Sequence, residues 1–355
     1  MMFLRNIFRR LFAVLFFVPS WFLYGSSLKK DEEILFFPTN AKLLSDEQWE
    51  VSVHAWIYEM EKGTVSRDIG RKLIGEILEF VDVTEAQTQS ALFKERIKWF
   101  LVDNERNKVI NMGVDGQSQQ SPRSVANGHI KFSTQVTAKD QVGTWIDIPV
   151  NMPAADKRSF AAETQLIPRR GTSVISDIDD TVKISEVMNK KALIQHVFFK
   201  DYETTEGMPA FYAELAEQGY YFHYISASPW QLYPSLKPFM EQHYPKGAYS
   251  LRHFRVTDSS FIAFMRSSMN YKIKAISNII QRYPEHRFIL IGDSGEKDPE
   301  VYAQIYRKFP NNIKKILIRK VAGSALSDAR KEHIFEGIPE HRWQFFDTPN
   351  MLEAF

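Results

Sequence analysis

The segment Asp177-Ile178-Asp179-Asp180-Thr181 sets three carboxylates within four residues, one residue after the apolar pair Val174-Ile175. Carboxylates this close repel one another and disfavour a compact turn unless a cation neutralises them. A second acidic pair, Asp293 and Asp298, lies at the end of the run FILIGDSGEKDP. Hard oxygen ligands without His or Cys partners point to Mg²⁺ rather than zinc. Taken singly, each is an ordinary turn or cap residue; Asp298, followed by Pro299, has the form of a helix N-cap. Two further residues suit a phosphate group. Ser226 ends the run YYFHYIS and offers a hydroxyl and a backbone N–H to a phosphoryl oxygen. Lys272 opens YKIKAI and can neutralise both a phosphate and an attacking carboxylate.

The composition narrows the chemistry further. Zero cysteines exclude thiolate nucleophiles, disulfides, Cys-ligated zinc and iron–sulfur clusters. Near-balanced charge, 45 Lys+Arg against 43 Asp+Glu, gives no general reason to expect nucleic acid. The 355 residues suggest two domains.

The elements that must position these groups fall into two textures. From Arg169 onward, apolar strand patterns (SVISDID, YYFHYIS, RFILIGD, KKILIRK) alternate with helical ones (MPAFYAELAEQG, WQLYPSLKPFMEQH, YKIKAISNIIQRYP, DPEVYAQIYRKFP). Such alternation implies a parallel sheet covered on both faces, with ligands beyond the carboxyl ends of its strands. Every polar cluster above falls at such an end. Residues 45–168 read instead as a small β-sandwich-like domain. Val51, Val53, Ala55 and Ile57 alternate, and IKWFLVDNERNKVINM resembles two strands about a turn at Asn104–Asn107. GHIKFSTQVTA and GTWIDIPVNM suggest two more strands; one helical segment, RDIGRKLIGEILEF, interrupts them, and a Gln/Ser-rich stretch between Asn111 and Asn127 reads as a loop.

The order DxDxT, then Ser, then Lys, then GDxxxxD resembles the haloacid dehalogenase superfamily of phosphotransferases. The strings VISDIDDTVKISEV, YISASPWQLYPSLKPF and FILIGDSGEKDPEVY look like the catalytic domain of actin-patch-type phosphatidate phosphatases, whose bacterial relatives also carry a β-rich N-terminal domain. The resemblance covers about half the chain. It implies a doubly wound, Rossmann-like α/β domain over 169–355 and a role for each motif residue. Asp177 would attack phosphorus and form an aspartyl-phosphate. Asp179 would protonate the leaving alkoxide and then deprotonate water. Mg²⁺ would sit between Asp177, the backbone carbonyl of Asp179 and Asp293, with Asp298 orienting the metal's surroundings and Thr181 supporting the loop. The sequence departs from the family at Tyr271, where His is expected before Lys272, so Lys274 is a rival for the cationic role.

The gaps from Thr181 to Ser226 and from Ser226 to Lys272, about 45 residues each, are filled by helices and connections, leaving little for a cap domain. An open site suits a bulky or membrane-resident phosphate ester, and the resemblance makes a phosphorylated lipid the expected partner. Two alternatives are a soluble or protein-bound phosphate and an inactive lipid-binding envelope protein. Phe198, Phe199, Trp230, Leu232, Tyr233, Phe261, Ile262 and Phe264 are candidates for an apolar surface, with ordinary core as the competing reading. Arg252, His253 and Arg255 could contact an anionic headgroup or form a solvated edge; His223, His243 and His286 read as structural. Residues 1–27 combine Arg5, Arg9 and Arg10 with the apolar run Leu11–Val18 and a small-residue exit. That is the layout of a signal peptide or a marginal membrane anchor, so an exported or membrane-anchored protein is expected.

Overall fold

The computed structural model describes residues 26–60, 65–81, 83–254, 264, 269–324 and 327–352. Most of the proposed signal or anchor, and Arg255, Phe261 and Ile262, lie outside them. No helix among the described residues is long and apolar enough to cross a membrane.

The N-terminal domain is built on period-two patterning. Its seven-stranded sheet comprises β1 (Glu32–Phe36), β2 (Thr39–Leu43), β3 (Gln48–Glu59), β4 (Asp103–Asn104), and, after the hairpin β5 (Asn111–Val114)–β6 (Gln117–Gln120), β7 (His129–Thr137), β8 (Trp145–Pro149) and β9 (Ala161–Ile167). Along β3, Trp49, Val51, Val53, Ala55 and Ile57 all face the core. Pairing is antiparallel except between β2 and β9. The β5–β6 hairpin corrects the reading of 111–127 as a loop. Its Met112 and Val114 carry the apolar burial, whereas every side chain of β6 is exposed. It links the two sides of the sheet, since Met112 bridges to Val150 beyond β8 and Thr134 on β7 hydrogen-bonds Gln119. The strands of the expected sandwich-like domain thus belong to one seven-stranded sheet whose inward side chains share a single core with the hairpin.

A second correction concerns residues 65–100. Three helices, α1 (Val65–Phe80), α2 (Glu85–Gln89) and α3 (Ala91–Ile97), leave the sheet after β3, where one was expected. The run beginning at Ile97 is helical and then a 3₁₀ turn, Lys98–Phe100; Asp103–Asn104 pairs as a strand, and the second expected strand is met only at its end, where Asn111 begins β5. Local caps explain this: Thr84 closes a capping box with Gln87, and the Ser90 hydroxyl accepts from the Phe93 N–H. Leu73, Ile77 and Val81 recur every four residues and bury one face. That face packs on the second domain, against Val187, Leu193, Val197 and Phe198. Arg96 fastens the contact: its Nη1 donates to the carbonyls of His196 and Val197 at 2.8 Å each, and its guanidinium lies 3.9 Å from the centre of the Tyr202 ring. Arg96→Ala leaves two buried carbonyls without a donor and is expected to cost about 2–4 kcal/mol, read by chemical denaturation. Loss of less than about 0.5 kcal/mol would contradict this docking role.

The second domain carries six parallel strands, β10 (Gly171–Asp177), β11 (Tyr221–Pro229), β12 (Ala248–Arg252), β13 (His286–Asp293), β14 (Ile313–Arg319) and β15 (Trp343–Phe346), in the order β12-β11-β10-β13-β14-β15. Its helices are α4 (Lys190–Phe198), α5 (Met208–Glu217), α6 (Tyr233–His243), α7 (Met269–Arg282), α8 (Asp298–Lys308) and α9 (Asp328–Phe335). Ile175, Leu290 and Ile316 pack on α7 and α8, while Val174, Ile289 and Leu317 pack on α5 and α6. Both faces are therefore covered, which is why the strands read as continuous apolar runs. Beside the edge strand β12, Pro38 accepts from the Tyr249 N–H at 3.4 Å, and Asn40 reaches His223 at 3.1 Å.

Candidate active site

Parallel register decides which strand ends meet. Asp177 pairs with Ile225, so Ser226 lies one residue beyond it on β11, and on the other side Ser176 pairs with Ile291, two residues before Asp293. Strands about 4.8 Å apart thus set Asp177 between Ser226 and Asp293 at one edge of the sheet. Asp180 then takes a positive φ of 54°. Its carboxylate accepts from the backbone N–H groups of Ser185, Glu186 and Val187 at 2.7–2.9 Å, which holds the loop. Arg319 at the end of β14 donates to the Asp180 carbonyl at 2.8 Å.

Two clusters result. In the first, carboxylate oxygens of Asp177, Asp293 and Asp298 all lie within 4.8 Å of one another. Lys272 enters from α7 and pairs with Asp177 at 2.7 Å, Asp298 at 2.5 Å and Glu296 at 3.0 Å. The lysine is only 2% exposed, while Lys274 points to solvent, so geometry joins Lys272 and not its rival to the cluster. Burial pushes the Asp177, Asp293 and Asp298 carboxyls upward, and the surrounding carboxylates add to it. Burial alone would lower the Lys272 ammonium, but Asp177, Asp298 and Glu296 outweigh it and keep it charged. One ammonium faces four carboxyl groups. Asp298 also accepts from the Asp293 N–H at 3.3 Å, and Asp293 Oδ1 accepts from Gly295 N–H at 2.6 Å and Glu296 N–H at 3.0 Å.

In the second cluster the Asp179 carboxylate accepts from Lys183 at 2.8 Å, Ser185 at 2.7 Å, Ser226 at 2.9 Å and Ser228 at 3.0 Å. Burial pushes this group up, but the Lys183 charge and the hydrogen bonds from Lys183, Ser185 and Ser226 prevail and hold it below the usual carboxylate range. The Asp179 side chain therefore stands apart from the metal-type triad. Lys183, Ser185, Ser228, Glu296 and Arg319 were missed in the sequence; each resembles a surface residue until the fold turns it inward. Thr181 is fully buried, and its hydroxyl has no hydrogen-bond partner among the described residues.

Asp177 is 2% exposed and Asp179 9%, and α1–α3 pack against Val187, just beyond the Asp180 loop. Phe198, Trp230, Leu232, Tyr233 and Phe264 are buried and Phe199 stacks on Phe93, so they form no exposed apolar patch beside the carboxylates. Arg252 and His253 lie at and just beyond the end of the edge strand β12. His223 and His286 are buried and hydrogen-bonded, in keeping with structural roles, and His243 packs on Phe239. Gly292 is demanded by the cluster: an added Cβ would lie 2.4 Å from Asp298 Oδ2 and 2.8 Å from Tyr302. Gly292→Ala is expected to cost about 1–3 kcal/mol by thermal or urea unfolding, and a neutral result would contradict this close packing.

The parallel sheet thus gathers these carboxylates and the lysine at one edge, and the same region is the one that resembles known proteins. Residues 172–320 match the family model described as "Phosphatidate phosphatase APP1, catalytic domain". The chain is 34% identical over 188 residues to "Phosphatidate phosphatase APP1" of Saccharomyces cerevisiae, covering 52% of this chain and 32% of the relative. It is 30% identical over 185 residues to "Uncharacterized protein C29B5.04c" of Schizosaccharomyces pombe, covering 49% and 29%. The chain thus spans about a third of the length of these relatives.

Proposed function

We propose that the chain is a Mg²⁺-dependent phosphomonoester hydrolase, with a doubly wound haloacid dehalogenase-like catalytic domain, acting on phosphatidate or a similar phosphorylated lipid. The observation that carries this reading is the buried triad of Asp177, Asp293 and Asp298, two of whose members, Asp177 and Asp298, pair with Lys272, while the Oδ2 atoms of Asp177 and Asp293 are buried and have no hydrogen-bond partner among the described residues. Buried carboxylate oxygens without donors suit a hard cation. Asp177, Asp293 and the Asp179 carbonyl would hold it, Asp298 would orient its surroundings, and its charge would offset the repulsion between anionic nucleophile and phosphate. The lipid follows from the yeast relative, whose description names phosphatidate.

On this reading an oxygen of Asp177 attacks phosphorus as the bond to the alkoxide breaks, and an aspartyl-phosphate forms. Lys272 holds the Asp177 carboxylate and balances the incoming charge. Ser226, which bonds Asp179, aligns the acid–base group beside the phosphoryl oxygens. Asp179 protonates the leaving alkoxide, yielding diacylglycerol, then takes a proton from water as the water attacks phosphorus and frees Asp177 and inorganic phosphate. Its ionised state suits the second step. For the first, the negative charge of a bound phosphate raises its affinity for a proton, which Asp179 takes from solvent as the ester binds and before its bond breaks. Purified protein is expected to release phosphate from dispersed phosphatidate, to lose at least about 100-fold in EDTA and to recover with added Mg²⁺. Activity insensitive to EDTA would sink the metal, and turnover of soluble sugar phosphates in preference to phosphatidate would sink the lipid.

A further inference from the structure

Away from the catalytic cluster, a cavity of about 390 Å³ lies between the two domains. That volume lies within the range of small-molecule sites. The N-terminal domain contributes Phe37, His54, His129 and Lys131, and the catalytic domain contributes Trp230 and Leu251. The walls are ordered by ring packing. Phe37 stacks on His54 at 4.3 Å, and Trp230 meets His129 edge-on at 4.4 Å. Two residues of the wall each bury a polar atom that has no hydrogen-bond partner among the described residues: Trp230 Nε1, on a side chain 4% exposed, and His129 Nε2, on one 5% exposed. His129 Nδ1 is already bonded to His54 Nε2 at 2.7 Å, so its orientation is fixed from the other side. An indole N–H donates only, and leaving it unmade in an apolar site is costly. The charge of the lining has one sign as well: Lys131 and Arg123 line it, no carboxylate does, and Lys131 forms no ion pair among the described residues.

We propose that this interdomain cavity binds an amphipathic anion, an alkyl or acyl chain carrying a carboxylate or phosphate head that accepts the Trp230 N–H and faces Lys131. The chain lies along Phe37 and Leu251, and because both domains supply the walls, its binding ties them together. The site does not depend on the phosphatase reading.

The test is calorimetric titration of the full chain in EDTA, where the catalytic carboxylates repel anions, with dodecanoate, dodecyl phosphate and dodecanol below their aggregation limits. Saturable binding of an anion, at least tenfold tighter than dodecanol, is expected, and the tighter of the two anions identifies the head group. Trp230→Phe keeps the ring and removes the donor, and should weaken the anion about tenfold. Lys131→Glu, on an exposed side chain that can change without refolding the core, should weaken the anion further and leave dodecanol unaffected. No saturable binding of either anion, equal affinity for dodecanol, or unchanged affinity in both variants overturns the proposal.

Discussion

Asp177→Asn is expected to abolish phosphate release, by on the order of 10³-fold or more, while leaving the folded protein at least as stable. The two halves of this outcome come from different physics. A carboxamide lacks the anionic oxygen needed to bond phosphorus, so no later step can begin. Its shape matches the carboxyl group, however, and its carbonyl can still accept from Lys272, which stands 2.7 Å from Asp177 Oδ1. Without a metal, Asp177 is one of four carboxyl groups around a single ammonium, and burial together with Asp298, Asp293 and Glu296 raises its affinity for a proton. Replacing it by a neutral group removes repulsion. Parallel assays of phosphate release and thermal unfolding separate the two effects. Activity within tenfold of the native chain would end the assignment of Asp177 as nucleophile; a large loss of stability would mean that the residue acts chiefly in folding.

Lys272→Met should be the more destructive change. The side chain is buried and holds three carboxylates at 2.5–3.0 Å. Methionine fills much the same volume but leaves those acids with no opposing charge, a loss of about 3–5 kcal/mol in chemical denaturation. Mg²⁺ is expected to restore part of it, since a divalent cation offsets the same negative charge and stabilises whichever state binds it. Phosphate release should fall by at least about 100-fold and stay low when stability is rescued, because the ammonium also balances the approaching phosphate. Lys274→Ala, two residues along on the exposed side of α7, should change stability by less than about 0.5 kcal/mol and leave the rate intact. Equal effects at the two positions would overturn the choice of Lys272.

Much of the catalytic domain is legible residue by residue. Apolar runs such as Val174–Ile175 and Ile289–Ile291 announce strands buried on both faces, and the carboxylates that follow mark their carboxyl ends. The N-terminal domain is harder to read. Alternation along β3 is plain, yet the Lys98–Phe100 run looks like a strand and is helical, because caps at Thr84 and Ser90 start helices that the apolar pattern alone does not distinguish. The β5–β6 hairpin hides in a polar stretch, since one of its strands buries nothing.

The sequence by itself determined the chemical kind of the site: oxygen ligands and a serine placed at strand ends by local pattern, a lysine at the start of a helix, and no thiol. Local pattern suffices there because parallel strands deliver all their carboxyl ends to one edge. Only the tertiary structure decided the company those groups keep. Asp179 meets Lys183 and Ser228 rather than the triad, Arg96 closes on Val197 a hundred residues away, and Trp230 faces His129 across a domain boundary. Such contacts depend on how separate surfaces dock, and no spacing along the chain encodes that geometry.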